Sequence, residues 1–205
     1  MCGRYELNET PARLGSRYRI EPGDLVFEAD PDIRPTTVNP VVLLHDGSHR
    51  LELMRWGLVP SWLRDPRAVR HPFNAVSETA SEKPFFRTAF RKRRCIVPAN
   101  AFFEWTPIPG EKRKRKMRIT RADGELFSLG GLHEYRREGD EVIASYTILT
   151  TQPNAIMQPV HDRMPVIVGD AEIEAWLAPE TSLDSVRAMC MPCPSEWLDM
   201  QVAGS

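Results

Sequence analysis

The fold is decided by residues 94–151, RCIVPANAFFEWTPIPGEKRKRKMRITRADGELFSLGGLHEYRREGDEVIASYTILTT. Short runs of apolar, β-branched and aromatic residues in this stretch predict β-strands, and Asp123-Gly124 and Gly139-Asp140 predict turns between them. The predicted strands are 94–98, 101–106, 115–121, 125–134 and 141–151. Consecutive strands without intervening helices exclude a βαβ architecture and indicate an α+β domain.

Helices are expected on both sides of this stretch. Thr10 and Pro11 have the residue types of a helix cap and a first helical position. Phe85, Phe86 and Phe90 recur at helical spacing before a group of basic side chains. The predicted helices are 11–18, 83–92, 153–158, 170–178 with Asp170 as its cap, and 182–190.

A β-hairpin is expected nearer the N-terminus. Residues 38–45 and 49–57 flank Asp46-Gly47, a strong hairpin signal. Pro40 suggests that the first of these strands lies at a sheet edge, because proline cannot donate to a strand ladder. The sequence contains no glycine-rich phosphate loop, which argues against a nucleotide-dependent enzyme.

The bulk composition is that of an ordinary globular protein. The chain has 205 residues with a mass of 23.4 kDa, and 41% of them are hydrophobic. This length fits one domain, expected to span residues 1–205. No apolar run is long enough to cross a bilayer, and the N-terminus lacks the apolar core of a signal peptide. We expect a cytoplasmic monomer with no membrane partner and with its four cysteines reduced.

The net charge of −1 gives no overall attraction to nucleic acid, but the basic residues are unevenly distributed. Between Arg87 and Arg121 the acidic residues are Glu104 and Glu111. The basic residues of the same stretch are Arg87, Arg91, Lys92, Arg93, Arg94, Lys112, Arg113, Lys114, Arg115, Lys116, Arg118 and Arg121. This stretch could neutralise several phosphates, or it could be a solvated hairpin and helix end.

Cys2 follows the initiator methionine, and aminopeptidases remove Met1 when the second residue is small. The mature chain would then begin with a free α-amine beside a thiol. Such a 1,2-aminothiol condenses with an aldehyde and closes to a five-membered thiazolidine, and the closure is intramolecular. DNA offers an aldehyde in the open form of an abasic sugar. The same terminus could instead hydrolyse amides, with the amine acting as base for the thiol.

Three polar residues lie in unusually apolar or aromatic stretches: Asn74 in FNAVSETA, Glu104 in AFFEWT and His161 in VHDRMPVIV. A carboxylate flanked by aromatics tends to have a raised pKa, and histidine titrates near neutrality, so both suit acid–base chemistry. Each residue also has an ordinary interpretation. Glu104 could face solvent, His161 could bond the backbone in a turn, and Asn74 could be a cap or turn residue.

Several motifs in order resemble the SRAP family, the SOS response-associated peptidases, whose members act as abasic-site processing proteins. The resemblance covers about residues 1–190. Each motif is short, but their combination in this order is specific. The motifs are MCGRY at 1–5, WGLVPSW at 56–62, NAVSET at 74–79, RRCIVPANAFFEW at 93–105, and ILTTQPN with HDRMPVIV within 148–168.

The resemblance implies the roles of five residues. Cys2 would form the thiazolidine link with the abasic deoxyribose, and Asn74 would orient the sugar and the amine. Glu104 would move protons at the amine and at the opening sugar ring. His161 would act as acid and base in ring opening and in reversal of the adduct, and Thr150 would supply a supporting hydrogen bond.

The resemblance also implies the fold and the partner. The expected fold is a single domain around a curved, largely antiparallel, barrel-like sheet with peripheral helices and a groove for single-stranded DNA. Arg4 and Arg163 would hold phosphates, and Trp62 would stack on a base beside the lesion. When bound to DNA, the protein would be associated with the nucleoid. No metal or organic cofactor is implied.

The chain departs from the family pattern at two positions that concern DNA. Val76 stands where the family has an arginine, and Asp32 stands where the family has an asparagine. Both changes would weaken attraction to phosphate, for which Arg34 or the basic residues 112–118 could compensate.

Other functions stay open on the sequence alone. An abasic-site protein of this type could have a side activity as an abasic-site lyase, because a Schiff base permits β-elimination. The rival functions are an N-terminal-nucleophile cysteine peptidase that processes itself, and a noncovalent single-stranded DNA-binding module. Cys190 and Cys193 form a CxxC pair without further ligands nearby, so we expect no zinc site there.

Overall fold

A closed ring of β-strands forms the centre of the computed structural model, which describes residues 2–21, 23, 25–65 and 69–204. The strands, in chain order, are β1 (Tyr5–Leu7), β2 (Asp30–Ile33), β3 (Val38–His45), β4 (Ser48–Trp56), β5 (Asn74–Val76), β6 (Arg94–Ala99), β7 (Ala101–Pro107), β8 (Lys114–Arg121), β9 (Phe127–Glu138), β10 (Glu141–Thr151), β11 (Met164–Pro165) and β12 (Leu198–Val202).

Short helices cover the outside of the strands. The α-helices are α1 (Pro11–Tyr18), α2 (Ser77–Ala80), α3 (Arg87–Lys92), α4 (Ile173–Leu177) and α5 (Leu183–Met189), with 3₁₀ turns at Asp170–Glu172 and Ser195–Trp197. Within the described residues, none of these helices has the length and apolar character that crossing a membrane requires.

The ring is a five-stranded barrel in the order β10–β4–β3–β6–β9, closed by the pairing of β9 with β10. All of its pairings are antiparallel except that of β10 with β4. The expected α+β fold around a curved, largely antiparallel, barrel-like sheet is therefore confirmed. Trp56, Ile96 and Tyr146 are among the fully buried side chains of the core.

Two consecutive glycines in β9 let other parts of the molecule approach the barrel wall closely. A Cβ atom on Gly130 would lie 2.9 Å from the ring of Trp176, and one on Gly131 would lie 2.8 Å from Cys95 Sγ. Real Cβ atoms do not approach other atoms so closely. Glycine is therefore required at these positions for packing rather than for a turn.

A second sheet packs beside the barrel in the order β12–β8–β7–β1–β2. Its strand β1 pairs antiparallel with β7, so that Tyr5 lies opposite Phe102. The Phe103 N–H also donates to the Arg4 carbonyl at 2.9 Å. This sheet therefore fixes the path of the N-terminal segment beside the strand that contains Glu104.

The strongest local signals predict their elements correctly. Helix α1 begins at Pro11, and the Thr10 hydroxyl accepts from the Arg13 N–H at the cap. The hairpin of β3 and β4 turns at Asp46 and Gly47, which both have positive φ. All five strands predicted within 94–151 are present, with ends that differ by at most a few residues.

Other expectations are corrected by the structure. Strand β3 is internal, because it pairs with β4 along its length and with β6 at Val42. Helix α3 begins at Arg87 rather than residue 83, and residues 155–160 form turns instead of a helix. Gly169 rather than Asp170 occupies the cap position before the 3₁₀ turn.

Arg94, one of the basic stretch, is a buried structural residue and not a phosphate ligand. Its guanidinium donates to the carbonyls of Phe90 and Arg91, each at 2.8 Å, to Trp176 at 2.6 Å, and to Ala178. These carbonyls belong to the last turns of α3 and α4, where helical partners are missing. One side chain thus joins two helices to β6.

Replacing Arg94 with methionine is expected to lower the free energy of unfolding by about 3 kcal/mol, because buried carbonyls lose their donors. Urea denaturation measures the change. The exposed Arg137→Met, on β9, is the matched control and should stay near wild type. Equal stability of the two variants would contradict this role of Arg94.

Candidate functional site at the N-terminal cysteine

Cys2 is fully buried at the start of the chain. Its Sγ lies 3.6 Å from the Arg4 carbonyl oxygen, to which the thiol donates. Burial, together with the nearby negative charge of Glu104, raises the pKa of the Cys2 thiol. The thiol is therefore neutral at physiological pH, and Glu104 lies within electrostatic range of it.

Asn74 is fixed by a strand rather than by a turn. Strand β5 pairs in parallel with β10, which places Asn74 opposite Ile148. The Asn74 side-chain amide donates to the Cys2 carbonyl oxygen at 2.8 Å. Its Oδ1 atom is buried and has no hydrogen-bond partner among the described residues. The cap or turn interpretation is wrong, and the amide offers a free acceptor beside Cys2.

Glu104 is only 3% exposed, so the interpretation that it faces solvent is wrong. It lies in β7, opposite Met117 of β8. Burial raises the pKa of Glu104 to about 7. A carboxyl group with this pKa can both give and take a proton near neutrality.

His161 follows the turns that connect β10 to β11, and it faces Glu104. Its Nε2 lies 3.9 Å from Glu104 Oε2. Its Nδ1 lies 3.0 Å from the Arg163 backbone nitrogen and 2.7 Å from the exposed carboxylate of Asp162. A neutral imidazole carries one N–H, and these contacts are compatible with that proton on either ring nitrogen. Burial lowers the pKa of His161 and favours this neutral form.

Thr150 is fully buried in β10, two residues beyond the position opposite Asn74. Its hydroxyl oxygen has no hydrogen-bond partner among the described residues. Its carbonyl accepts from the Arg163 guanidinium at 2.6 Å. The structure thus provides two unpaired polar atoms at this site, on Asn74 and Thr150, where a ligand could bond.

The two arginines predicted to hold phosphates are engaged by carboxylates. Arg163 donates to both oxygens of Glu78, at 2.8 and 2.6 Å, and holds the pKa of Glu78 below its usual range. Arg4 donates to both oxygens of Asp32, at 2.8 and 3.1 Å. Arg34, expected to compensate for Asp32, is a second donor to the same carboxylate.

Trp62 is 55% exposed, and its ring packs edge-on against Phe85 at 6.0 Å. Its exposure is compatible with base stacking. Phe85, which helical spacing suggested only as a packing residue, is the support of this ring.

Sequence reasoning missed a buried network that supports the N-terminal segment. The hydroxyls of Tyr5 and Tyr146 are 2.7 Å apart, and Asn39 donates to Tyr146 at 3.2 Å. Trp56 stacks on Tyr146 and meets Tyr5 edge-on. Tyr5 belongs to the MCGRY motif, and that membership was the only sequence signal.

The CxxC pair is buried, and Cys193 packs against Asn154. Cys193 Sγ lies 3.8 Å from the side-chain amide of Asn154. In the part of the chain that the structure describes, no group of three or more histidine, cysteine and acidic side chains is placed to hold a metal ion.

The barrel and the side chains around Cys2 define an α+β protein in which Asn74 and the buried Glu104 lie close to a buried cysteine near the beginning of the chain. Comparison with known proteins makes the class specific. The chain belongs to the SOS response-associated peptidase (SRAP) family, whose family model matches residues 1–203. The family resemblance seen in the sequence motifs is therefore confirmed.

Curated relatives carry the name abasic site processing protein. YoqW of Bacillus subtilis is 36% identical over 197 residues, which cover 94% of this chain and 87% of that protein. HMCES of Xenopus tropicalis is 34% identical over 220 residues, covering 86% of this chain and 66% of that protein. The homologues of this chain are thus abasic site processing proteins.

Solved structures share the fold over the whole chain. A crystal structure of a protein from Bacteroides thetaiotaomicron has a TM-score of 0.90 at 26% identity and covers 98% of this chain and 91% of that one. A second, from Bordetella bronchiseptica, has a TM-score of 0.85 at 26% identity and covers 100% of both chains.

The raised pKa of Glu104 predicts a pH-dependent stability. The folded pKa of about 7 exceeds the reference value of 4.5, so the folded state holds this proton more tightly. The resulting stability is complete below pH 4.5 and is lost as the pH rises through 7. Relative to Glu104→Gln, the free energy of unfolding of the wild type should fall by about 3 kcal/mol across this pH window.

Urea denaturation of both proteins at several pH values measures this difference. The exposed Glu141→Gln serves as the matched control, because it removes a carboxylate of β10 that is open to solvent. A constant difference between wild type and Glu104→Gln from pH 4 to pH 8 would show that the carboxyl pKa is not raised.

Proposed function

We propose that this protein captures abasic sites in single-stranded DNA by a covalent thiazolidine link between Cys2 and the ring-opened deoxyribose, and so shields the lesion. The observation that carries the proposal is the bond from Asn74 to the Cys2 carbonyl, with Glu104 and His161 beside it. The names of the curated relatives support abasic DNA as the partner.

The chemistry begins with removal of Met1, which turns the Cys2 nitrogen from an amide into an amine. The amine adds to the C1′ aldehyde of the open sugar, and the carbinolamine loses water to give an iminium ion. The thiol sulfur then bonds to the same carbon, and its proton leaves to a base. One aldehyde and one aminothiol thus give one thiazolidine and one water. An α-amine is partly neutral at pH 7 and can react.

Asn74 and Thr150 are suited to orient the reactants. The bond from Asn74 to the Cys2 carbonyl fixes the backbone that bears the amine. The unpaired Asn74 Oδ1 can accept an N–H of that amine, and the Thr150 hydroxyl can bond the sugar. Positioned groups of this kind convert a bimolecular reaction into one within a complex.

Glu104 and His161 are suited to move the protons. With a pKa of about 7, Glu104 can protonate the carbinolamine hydroxyl, which then leaves as water, and can afterwards accept the thiol proton. The neutral His161, 3.9 Å away and partly exposed, can exchange protons between Glu104 and solvent. The same relay, run backwards, would open the ring of the adduct.

The state of the thiol favours this chemistry over peptide hydrolysis. A cysteine peptidase uses a thiolate, usually formed beside a histidine or another cation. Burial raises the pKa of the Cys2 thiol, and its described hydrogen bond is to a carbonyl. A neutral thiol suffices for attack on an iminium ion when Glu104 takes its proton.

One chain supplies every residue of the proposed site. Arg4 and Arg163 lie beside Cys2 and Thr150 and would meet the flanking phosphates after exchange with their carboxylate partners. Trp62 would stack on a neighbouring base.

Intact-mass analysis after mixing with abasic single-stranded DNA tests the covalent link. Wild-type protein whose first residue is verified as cysteine should gain the mass of the oligonucleotide minus one water. Cys2→Ser should give no adduct stable to heat, because a hydroxyl closes the ring less favourably. Persistent absence of adduct from the wild type would overturn the proposal.

Cys2→Ala keeps the amine and removes the thiol, so the iminium ion should persist and β-elimination should increase. Gel analysis of strand cleavage measures this lyase product. Offering a peptide library in parallel tests the peptidase alternative. Peptide cleavage that depends on Cys2, with no adduct on abasic DNA, would favour that alternative, and unchanged DNA binding without any adduct would favour a noncovalent module.

Asp32→Asn should strengthen DNA binding, because Arg4 and Arg34 lose the carboxylate that they share. A new charge-assisted bond to phosphate gives about tenfold tighter binding, with a salt dependence steeper by about 0.7 per arginine released. Fluorescence anisotropy with single-stranded DNA at several salt concentrations measures both. The exposed Asp184→Asn is the charge-matched control. An equal gain in DNA affinity for both variants would show that the effect comes from the change in net charge and not from the release of Arg4 and Arg34.

A further inference from the structure

Apart from residues 112–116, the cations of residues 83–121 divide into two groups by what the side chains contact. In the first group the cations already have partners within the fold. Arg94 bonds backbone carbonyls, Arg93 pairs with Glu134 at 2.6 Å, and Arg118 pairs with Glu6. Arg121 likewise pairs with Asp123 and Asp170. These cations hold strands and helices together.

The second group lies on α3 and the turn before it. Lys83, Arg87, Arg91 and Lys92 are all exposed. Within the described residues, no carboxylate is within ion-pair distance of any of them. Glu82 is the only acidic residue between Ser81 and Arg93. We call these four cations the α3 surface.

The backbone places two of these cations on one side of α3. The Arg87 N–H donates to the Lys83 carbonyl at 2.8 Å, which holds the turn that contains Lys83 against the start of α3. Arg87 and Arg91 are four residues apart within α3 and therefore share one face of it, and Lys83 lies in the turn just before them. Ala89 and Phe90 are buried between these exposed cations and anchor the helix.

The exposed ring of Trp62 adjoins this surface. Phe85 lies between Lys83 and Arg87 in the chain, and Trp62 packs against its ring. A few residues before Lys83 in the chain, Glu78 of helix α2 bonds Arg163 at the candidate site. The α3 surface thus lies beside Trp62 and follows in the chain on Glu78, which bonds Arg163.

We propose that the α3 surface binds the phosphodiester backbone of the single-stranded DNA that flanks the abasic site, continuing the path past Trp62. The inference rests on the proposed function and extends its binding site. A row of unpaired cations beside an exposed aromatic ring is how proteins follow a single strand, with phosphates on the cations and a base on the ring. A single strand is therefore the expected occupant, rather than a duplex or an acidic protein.

The test compares Arg87→Gln/Arg91→Gln with the charge-matched Arg50→Gln/Arg137→Gln, whose arginines are exposed on β4 and β9. The substrates are abasic oligonucleotides with short flanks, with a long single-stranded flank on the 5′ or the 3′ side, and with that flank made duplex. The second-order rate of crosslinking is measured at 50 and 200 mM NaCl.

We expect the wild type and the control to react faster when one flank is lengthened as a single strand, and the α3 variant to lose this gain. Loss of two phosphate contacts should reduce the salt slope by about 1.4, so the defect should be about sevenfold larger at 50 than at 200 mM NaCl. Equal rates for both variants on every flank would overturn the proposal, as would a defect confined to the duplex flank.

Anisotropy with undamaged single-stranded DNA separates this proposal from the previous one. If the wild type binds this DNA and the α3 variant binds it more weakly than the control, the α3 surface is supported even when no crosslink forms. If the wild type crosslinks but the two variants bind long strands equally, the α3 surface is wrong and the covalent chemistry stands.

Discussion

The antiparallel pairing of β1 with β7 holds the beginning of the chain against the strand that bears Glu104, and the candidate site depends on it. Strand β1 has only three residues, so its ladder alone would fix little. Tyr5 supplies the rest, because its ring meets Trp56 and its hydroxyl meets Tyr146 inside the barrel. The end of a chain, usually its most mobile part, is thereby packed as core.

The same burial gives the site its chemistry. Removing Glu104 from water makes its proton harder to lose, and removing Cys2 from water keeps its thiol neutral. Two groups that would be a carboxylate and a more readily ionised thiol at the surface become a carboxyl group that titrates near pH 7 and a protonated thiol.

The parts of this structure that could be predicted from sequence are those with local signals. The Thr10-Pro11 cap, the Asp46-Gly47 hairpin and the strands of residues 94–151 form because of nearby residues. Strands such as β5 and β12 were not predicted, since each is short and owes its conformation to a partner distant in the chain. The closure of the barrel also follows from distant pairings and came only from the family resemblance.

The candidate site shows the same division. The odd environment of Glu104 suggested burial correctly, because aromatic neighbours on one strand are visible in the sequence. His161 lies between β10 and β11, whereas Glu104 lies in β7 of the second sheet. Their proximity depends on how these distant parts of the chain pack, which the spacing of residues in the sequence cannot reveal. The pairing of Arg4 and Arg34 with Asp32 likewise depends on the folded structure.

Counting charges along the chain could not distinguish these paired cations from the unpaired ones of α3, because both kinds look alike in the sequence and only their contacts in the structure differ. A net charge of −1 is therefore compatible with a nucleic-acid partner, since local unpaired cations rather than the total determine where phosphate is attracted.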